Sequence, residues 1–360
     1  MQVTGDYDAI EKMKNMIPLF LFFLSSIAWS QSFKPEWSYA MKSAFYVEYS
    51  NRPSSKEGQF EFNFSDLDLV PTVHVTEELS ATFWGVLVGQ RAIGSKRYTA
   101  ELENVFITYQ QKSKPQWVHE LGLVRPLWHR NEGTIGRTSF FGITSKSLAE
   151  RFNFLQMGDL GYQGRYVFSA ESFFAFGVIN GEENSSDEAG ASKEVFVSYI
   201  QQNAQQLFGL WLSYGQVDVA GEEFSERSRA HLRYQRHLGR FILALEAMWA
   251  QDPSSDYENN RRAEAMTFTE LTEPMNLSTE AGRIDLGYRL NDQQLVLIRY
   301  DLLRPELDHK DVESWTTAWV KSENAHHSWG IYYENTLYGT QHSAQSRQRE
   351  RVLLGMSLHF

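Results

Sequence analysis

The chain has 360 residues, no cysteine, a formal charge of −11 and a mean hydropathy of −0.43. A multi-span helical transporter is excluded because each crossing needs about 18 or more apolar residues, and a disulfide-stapled secreted scaffold is excluded by the missing cysteines. With 42% hydrophobic and 14% aromatic residues the chain is too rich for disorder, and a pI of 5.5 argues against a general nucleic-acid binder, which leaves a large soluble all-β domain or a transmembrane β-barrel.

The charged start Met13-Lys14-Asn15 precedes an apolar stretch at 16–28, near the length of a signal-peptide core and too short to span a bilayer. Ala28 and Ser30 are small residues suited to cleavage before Gln31. Residues 1–30 are therefore expected to be upstream residues plus a cleaved signal peptide, with translation beginning at Met13 and residues 31–360 forming a single domain. No cysteine follows the apolar run, so no lipid anchor is expected.

Beyond residue 30 the pattern repeats every two residues in segments of about ten, which predicts strands. The candidates are 40–49, 59–70, 79–90, 101–111, 116–124, 161–169, 171–180 and 194–203. They continue at 206–218, 228–238, 240–250, 281–291, 293–303, 313–322, 328–338 and 350–360. In the tenth, Ala230, Leu232, Tyr234 and Leu238 alternate with Arg229, His231, Arg233, Gln235 and His237. In the twelfth, Ile284, Leu286, Tyr288 and Leu290 oppose Arg283, Asp285, Gly287 and Arg289. The last carries Val352, Leu354, Met356, Leu358 and Phe360 on one face, the pattern of a barrel-assembly signal ending in Phe360. Strands of this length, apolar on one side and polar on the other, fit a closed transmembrane barrel better than a sandwich. Tyr49, Trp117, Trp249, Trp329 and Tyr338, near segment ends, suit interfacial girdles.

Parity sets the count. Short connections are expected at 76–78, 112–115, 170, 203–204, 239, 291–292 and 323–327, and long ones at 50–58, 91–100, 125–160, 181–193, 219–227, 251–280, 304–312 and 339–349. The segment 262–272 could pass for a further strand, but it would leave an odd number and is assigned to the sixth loop. The prediction is an all-β, sixteen-stranded antiparallel transmembrane barrel, with fourteen and eighteen as the neighbouring even counts.

If the apolar faces meet lipid, the opposite faces line a lumen. Candidate lining residues are Arg229, His231, Arg233, Arg240, Arg283, Arg289 and Arg299, with Glu246, Asp285 and Asp301 interleaved. Two arrangements are open: an arginine-rich wall exerting a field on solutes, or ion pairs across neighbouring strands that fill the bore. Much of the negative charge sits in loops such as 181–188.

The third and longest loop contains Arg125-Pro126-Leu127-Trp128-His129-Arg130 and Ser147-Leu148-Ala149-Glu150-Arg151. It leads to Gly158-Asp159-Leu160-Gly161, and a later strand closes with Gly177-Val178-Ile179-Asn180-Gly181 before the acidic run 182–188. This stretch resembles the family of phosphate-selective porins O and P, over about residues 120–200. The resemblance implies a diffusion porin, a homotrimer, and a third loop folded toward the lumen. Its constriction residues would be Arg125, Arg130, Arg137, Lys146, Arg151 and Asp159. The lysine-rich lumen associated with phosphate selectivity is not visible here, so phosphate is not carried over.

No Gly-x-Ser-x-Gly elbow, His-Glu-x-x-His pair or phosphate loop occurs, so no enzyme, cofactor or metal is expected. His119-Glu120 lacks a second histidine at the required spacing, and His326-His327 are adjacent residues that face opposite ways on a strand. The leading expectation is an outer-membrane porin of a Gram-negative bacterium passing small hydrophilic solutes, anions and zwitterions among them. Its expected partners are outer-membrane lipid and the barrel-assembly machinery. The alternatives are a non-conducting surface barrel acting as receptor or structural element, and a secreted soluble β-protein.

Overall fold

A computed structural model of the chain describes residues 36–51, 59–92, 95–124, 148, 159–180, 193–217, 225–253, 276–305, 311–323, 327–338 and 348–359. Within them sixteen strands follow one another: β1 (Glu36–Asn51), β2 (Gln59–His74), β3 (Leu79–Ala92), β4 (Ser95–Tyr109), β5 (Trp117–Val124), β6 (Asp159–Ser169), β7 (Ser172–Ile179) and β8 (Lys193–Gln202). The chain continues through β9 (Gln206–Val217), β10 (Ser225–Leu238), β11 (Phe241–Pro253), β12 (Asn276–Arg289), β13 (Gln294–Pro305), β14 (Val312–Ser322), β15 (His327–Tyr338) and β16 (Gln348–His359). Each strand pairs antiparallel with its sequence neighbours, and β1 closes the cylinder on β16 from Lys42↔His359 to Asn51↔Glu350. Closure leaves no unpaired strand edge, the condition for a sheet to sit in hydrocarbon. No helix among the described residues is long and apolar enough to cross a membrane.

Alternation places the side chains as the sequence requires. Val195, Val197, Leu210, Leu212, Leu232, Leu245, Ile284, Leu286, Ile298, Ile331, Val352 and Leu354 all point outward and are exposed, Leu286 by 54%. The buried side includes Arg229, Arg283, Arg299, Asp285 and Asp301, the last with no exposed surface. This inverts the polarity of a water-soluble protein, in which large apolar side chains rarely form a continuous exposed band. Aromatic side chains frame the band. Tyr49, Tyr214, Trp249 and Trp315 stand exposed toward the loop ends, and Phe168, Phe241 and Tyr288 toward the turn ends. At the turn end, Trp319 packs edge-on against Trp329 at 4.8 Å, and the Lys321 ammonium lies 5.8 Å from the Trp329 ring. Trp117 joins the same end, edge-on to Tyr166 at 4.9 Å.

Two glycines carry backbone demands. The β10–β11 hairpin turns in two residues between the paired Leu238 and Phe241, with Gly239 at φ +61°. Gly122, at φ +131°, lies opposite Gly161, and a Cβ on either would collide with a backbone oxygen of the next strand.

Three expectations are corrected. Residues 91–92 and 95–100 are strand rather than long loop: β3 runs to Ala92 and pairs it with Ser95, because charged residues at a strand end can project beyond the bilayer. Asp159 and Leu160 belong to β6, paired with Val124 and Leu123, and not to the third loop. Arg240 is an exposed residue of the β10–β11 turn and lines no strand face. The signal segment, the stretch 262–272, His326 and Phe360 lie outside the described residues.

Candidate functional site

The inward face is organised in bands that follow the hydrogen-bonding register. Nearest the turn ends lies an apolar row: Ile242, Gly287, Leu297, Ala318, Tyr332 and Leu353 stand opposite one another from β11 to β16. Leu295 and Val320 extend it into one buried cluster. Above it come two polar rows. One runs Ala244–Asp285–Arg299–Thr316–Glu334–Arg351, the next Arg233–Glu246–Arg283–Asp301–Ser314–Thr336. A second apolar row follows, with Trp211, Met248, Ala281, Leu303 and Val312 in one buried cluster. Toward the loop ends of β8, β10 and β11 a further charged group contains Glu194, Arg227, Arg229 and Asp252.

Within the polar rows the guanidinium groups meet carboxylates across strands. Arg283 donates from Nε to Asp301 Oδ1 at 2.6 Å and from Nη2 to Oδ2 at 3.2 Å. Arg299 makes the same two-pronged contact with Asp285, at 2.6 and 2.9 Å. Both pairs are in direct register on the β12–β13 hairpin, so the fork geometry follows from the backbone alone. Glu246 collects three donors: His231 Nε2 at 2.7 Å, Arg283 Nη1 at 3.4 Å and the backbone N–H of Leu148 at 2.7 Å. Near the loop ends Arg229 donates to Asp252 at 2.8 Å, and Arg227 bridges Glu194 at 3.4 Å and Asp252 at 3.6 Å. On β5 and β6, Gln163 donates to Glu120.

Leu148 is the one described residue between Val124 and Asp159. It has no exposed surface and packs with Trp211, Phe196 and Met248. The third connection therefore reaches the inward face of β11 at this point, as expected of a loop folded toward the lumen. Its charged candidates Arg125, Arg130, Arg137, Lys146 and Arg151 lie outside the described residues.

The cross-strand ion pairs that the sequence left open are formed. Arg229, His231, Glu246, Arg283, Asp285, Arg299 and Asp301 are all buried and joined in them. Arg233 stands opposite Glu246 with part of its surface exposed, and Arg289 sits exposed at the end of β12, its guanidinium 3.5 Å from His237 Nδ1. Asp159 is buried at the start of β6. Sequence reading missed Glu194, Arg227 and Asp252. The available signal was distance from a turn: Arg227 and Asp252 are equidistant from Gly239–Arg240, as are Arg233 and Glu246.

The inward carboxylates share one fate and the arginines two, since Arg227, Arg229, Arg283 and Arg299 are buried with their acids. Among the described inward residues of β5 to β16, the carboxylates Glu120, Asp159, Glu194, Glu246, Asp252, Asp285, Asp301 and Glu334 are all buried. Arg165, Arg233, Arg349 and Arg351 keep part of their surface. Among the described residues no group of three or more His, Asp or Glu side chains could hold a metal ion. His119, a candidate dismissed on spacing, is hydrogen-bonded through Nδ1 to the Tyr162 hydroxyl at 2.8 Å.

The fold is that of outer-membrane porins. The chain is similar to an anion-selective porin from Comamonas acidovorans, with 11% identity, a TM-score of 0.62, and coverage of 91% of this chain and 100% of that one. It is also similar to the outer-membrane channel DcaP of Acinetobacter baumannii, at 10% identity, a TM-score of 0.59, and 92% and 99% coverage. A third likeness is to OmpT, an outer-membrane protein of Vibrio cholerae in a trimer form, at 10% identity, a TM-score of 0.57, and 91% and 99% coverage. No family model matches the sequence, and no curated protein matches it.

Proposed function

We propose that this chain is an outer-membrane porin, a water-filled channel for passive diffusion of small hydrophilic solutes with a preference for anions. The observation that carries the reading is the inverted polarity of a closed cylinder: an apolar exterior framed by aromatic side chains and an inward face crossed by charged rows. Such a cylinder is stable in a bilayer, where an Arg on the lipid face would cost about 2–4 kcal/mol at midplane. The anion preference is supported by the sign of the accessible inward charge, since arginines keep exposure where the carboxylates are buried. In this reading residues 1–30 direct export, the end of β16 is read by the assembly machinery, lipid surrounds the barrel, and copies associate as a homotrimer. No catalytic role is assigned.

The test is a planar-bilayer recording of the refolded protein under a KCl gradient, read as the reversal potential. The expected sign is that of chloride permeating faster than potassium. Cation selectivity would remove the anion preference, and absent conductance would remove the channel. A second reading, a non-conducting barrel, is favoured by the burial of Tyr332, Leu353 and Leu297 in the lower apolar row, where a wet bore would expose them. It predicts the absence of steps in the same recording.

A further inference from the structure

The outward face of β10 carries an exception to its apolar row. Leu232, Tyr234 and Leu238 point outward, and Arg236 stands between the last two, in register with Gln206 of β9 and Leu243 of β11. Among the described residues, the outward rows of β9 to β11 hold one other charge, Glu226 at the opposite end. An arginine on a lipid face is tolerated near the interface, where its stem lies along apolar surface and its head reaches polar groups. Arg240, exposed in the turn two residues beyond Leu238, brings a second guanidinium to the same end. Its carbonyl accepts from the Arg289 N–H at 2.8 Å, which ties the turn to β12. Elsewhere at the turn ends, Lys112 pairs with Glu77 and Lys321 with Glu323, the latter at 2.6 Å. Neither Arg236 nor Arg240 forms an ion pair or side-chain hydrogen bond among the described residues, and Asp292 in the next turn pairs with neither. Around them the exterior is apolar. Leu238, Phe241 and Tyr288 are exposed, Phe241 by 61%, and the rings of Phe241 and Tyr288 pack at 4.9 Å.

We propose that Arg236 and Arg240 hold the phosphodiester of an anionic phospholipid in the leaflet that meets the short turns, the periplasmic one in outer-membrane barrels. The phosphate lies at the level of Leu238 and Phe241 and accepts from both guanidinium groups, whose forked donors match its oxygens. The acyl chain runs toward the midplane along Leu243 and Leu286, which stand side by side on the outward face. A soluble phosphate would use the charges and leave this apolar surround unused, so the chemistry selects a lipid. A zwitterionic headgroup brings its own cation to a place where two cations already lack an acid, so it selects an anionic one. The site rests on the reading of a membrane-spanning barrel, and deepens it by naming a lipid class and a position on the exterior.

The experiment uses the full barrel folded in detergent, with heat-dependent gel migration showing that each variant is folded. Native mass spectrometry reads the affinity of the first bound lipid, for dioleoyl phosphatidylglycerol and for dioleoyl phosphatidylcholine. The wild type is expected to favour phosphatidylglycerol by about five-fold for each arginine, about 25-fold in all. Arg236→Gln and Arg240→Gln should each lose about five-fold of that preference, and the double variant all of it. Arg289→Gln removes a charge at the same end from a side chain that faces the bore beside His237, and should keep the preference. Should the double variant fail to fold, the two single variants decide. Equal affinity of the wild type for both lipids, an undiminished preference in both single variants, or an equal loss in Arg289→Gln would each overturn the site. Displacement of phosphatidylglycerol by an equimolar amount of inorganic phosphate would overturn it too, assigning the arginines to a soluble anion. A folded barrel that enters vesicles but shows no lipid preference removes the site and keeps the barrel; a chain that enters no vesicle removes both.

Discussion

Removing the Asp301 carboxylate would leave the Arg283 guanidinium buried without the two-pronged partner that accepts from it at 2.6 and 3.2 Å. Breaking a buried pair from one side costs about 3–5 kcal/mol, chiefly because the remaining charge stays out of water. Asp301→Asn is expected to lose stability on that scale in denaturant titrations of the barrel refolded into vesicles. An Arg283→Met/Asp301→Leu double variant is expected to recover most of it, since a packed apolar pair carries no stranded charge. Glu323, in the β14–β15 turn, is a different case. Hydrogen bonds from Lys321 at 2.6 Å and Trp329 at 3.1 Å hold its carboxyl below the ordinary value of 4.5. A depressed folded value means a contribution that is complete above the ordinary value and lost as pH falls through the folded one. The difference in thermal midpoint between pH 7 and pH 3 should therefore narrow in Glu323→Gln, and an unchanged difference would show that the turn contributes nothing to acid sensitivity.

At the level of elements, period two was legible wherever a strand lies within the apolar band. β10 to β13 show it most plainly, because each alternates long aliphatic residues with charged or small ones. Legibility failed at strand ends. Arg91, Lys96 and Arg97 read as loop, yet their segments pair to the tip of the β3–β4 hairpin, where backbone pairing continues past the point at which side-chain alternation is enforced. Pairing of the charges was missed for another reason: alternation assigns a face, whereas Arg283 meeting Asp301 and Arg299 meeting Asp285 requires the register set by the 290–293 turn. The open space beside Gly209, where an added Cβ would meet nothing within 4 Å, had no sequence signal, since a glycine in a strand reads only as weak propensity until its cross-strand neighbours are known. Two predictions belong here. Gly122→Ala places a Cβ against the Val105 carbonyl at a left-handed φ, and should destabilise by more than about 1 kcal/mol in the same unfolding assay. Ile298→Arg, on the outward face near the middle of β13 and 46% exposed, should cost about 2–4 kcal/mol in vesicles. A change within about 0.5 kcal/mol, typical of a water-facing position, would contradict contact with hydrocarbon.

For the molecule as a whole, sheet closure and inverted polarity are one fact seen twice: a cylinder with no edge can present greasy residues outward only if its surroundings are equally greasy. Its interior is banded rather than uniformly wet, joining buried arginines to buried carboxylates across strands and leaving Arg165, Arg233, Arg349 and Arg351 partly exposed. The phase of the alternation relative to lipid is the claim on which the proposed channel and its selectivity depend, and the chain's lack of native cysteine allows it to be read without background. Single cysteines placed along 295–302 of β13, spin-labelled and refolded into vesicles, report the accessibility of each position to oxygen dissolved in the bilayer. High accessibility at Val296, Ile298, Tyr300 and Leu302 with low values at Leu295, Leu297, Arg299 and Asp301 is the predicted result; a flat or inverted profile would contradict it.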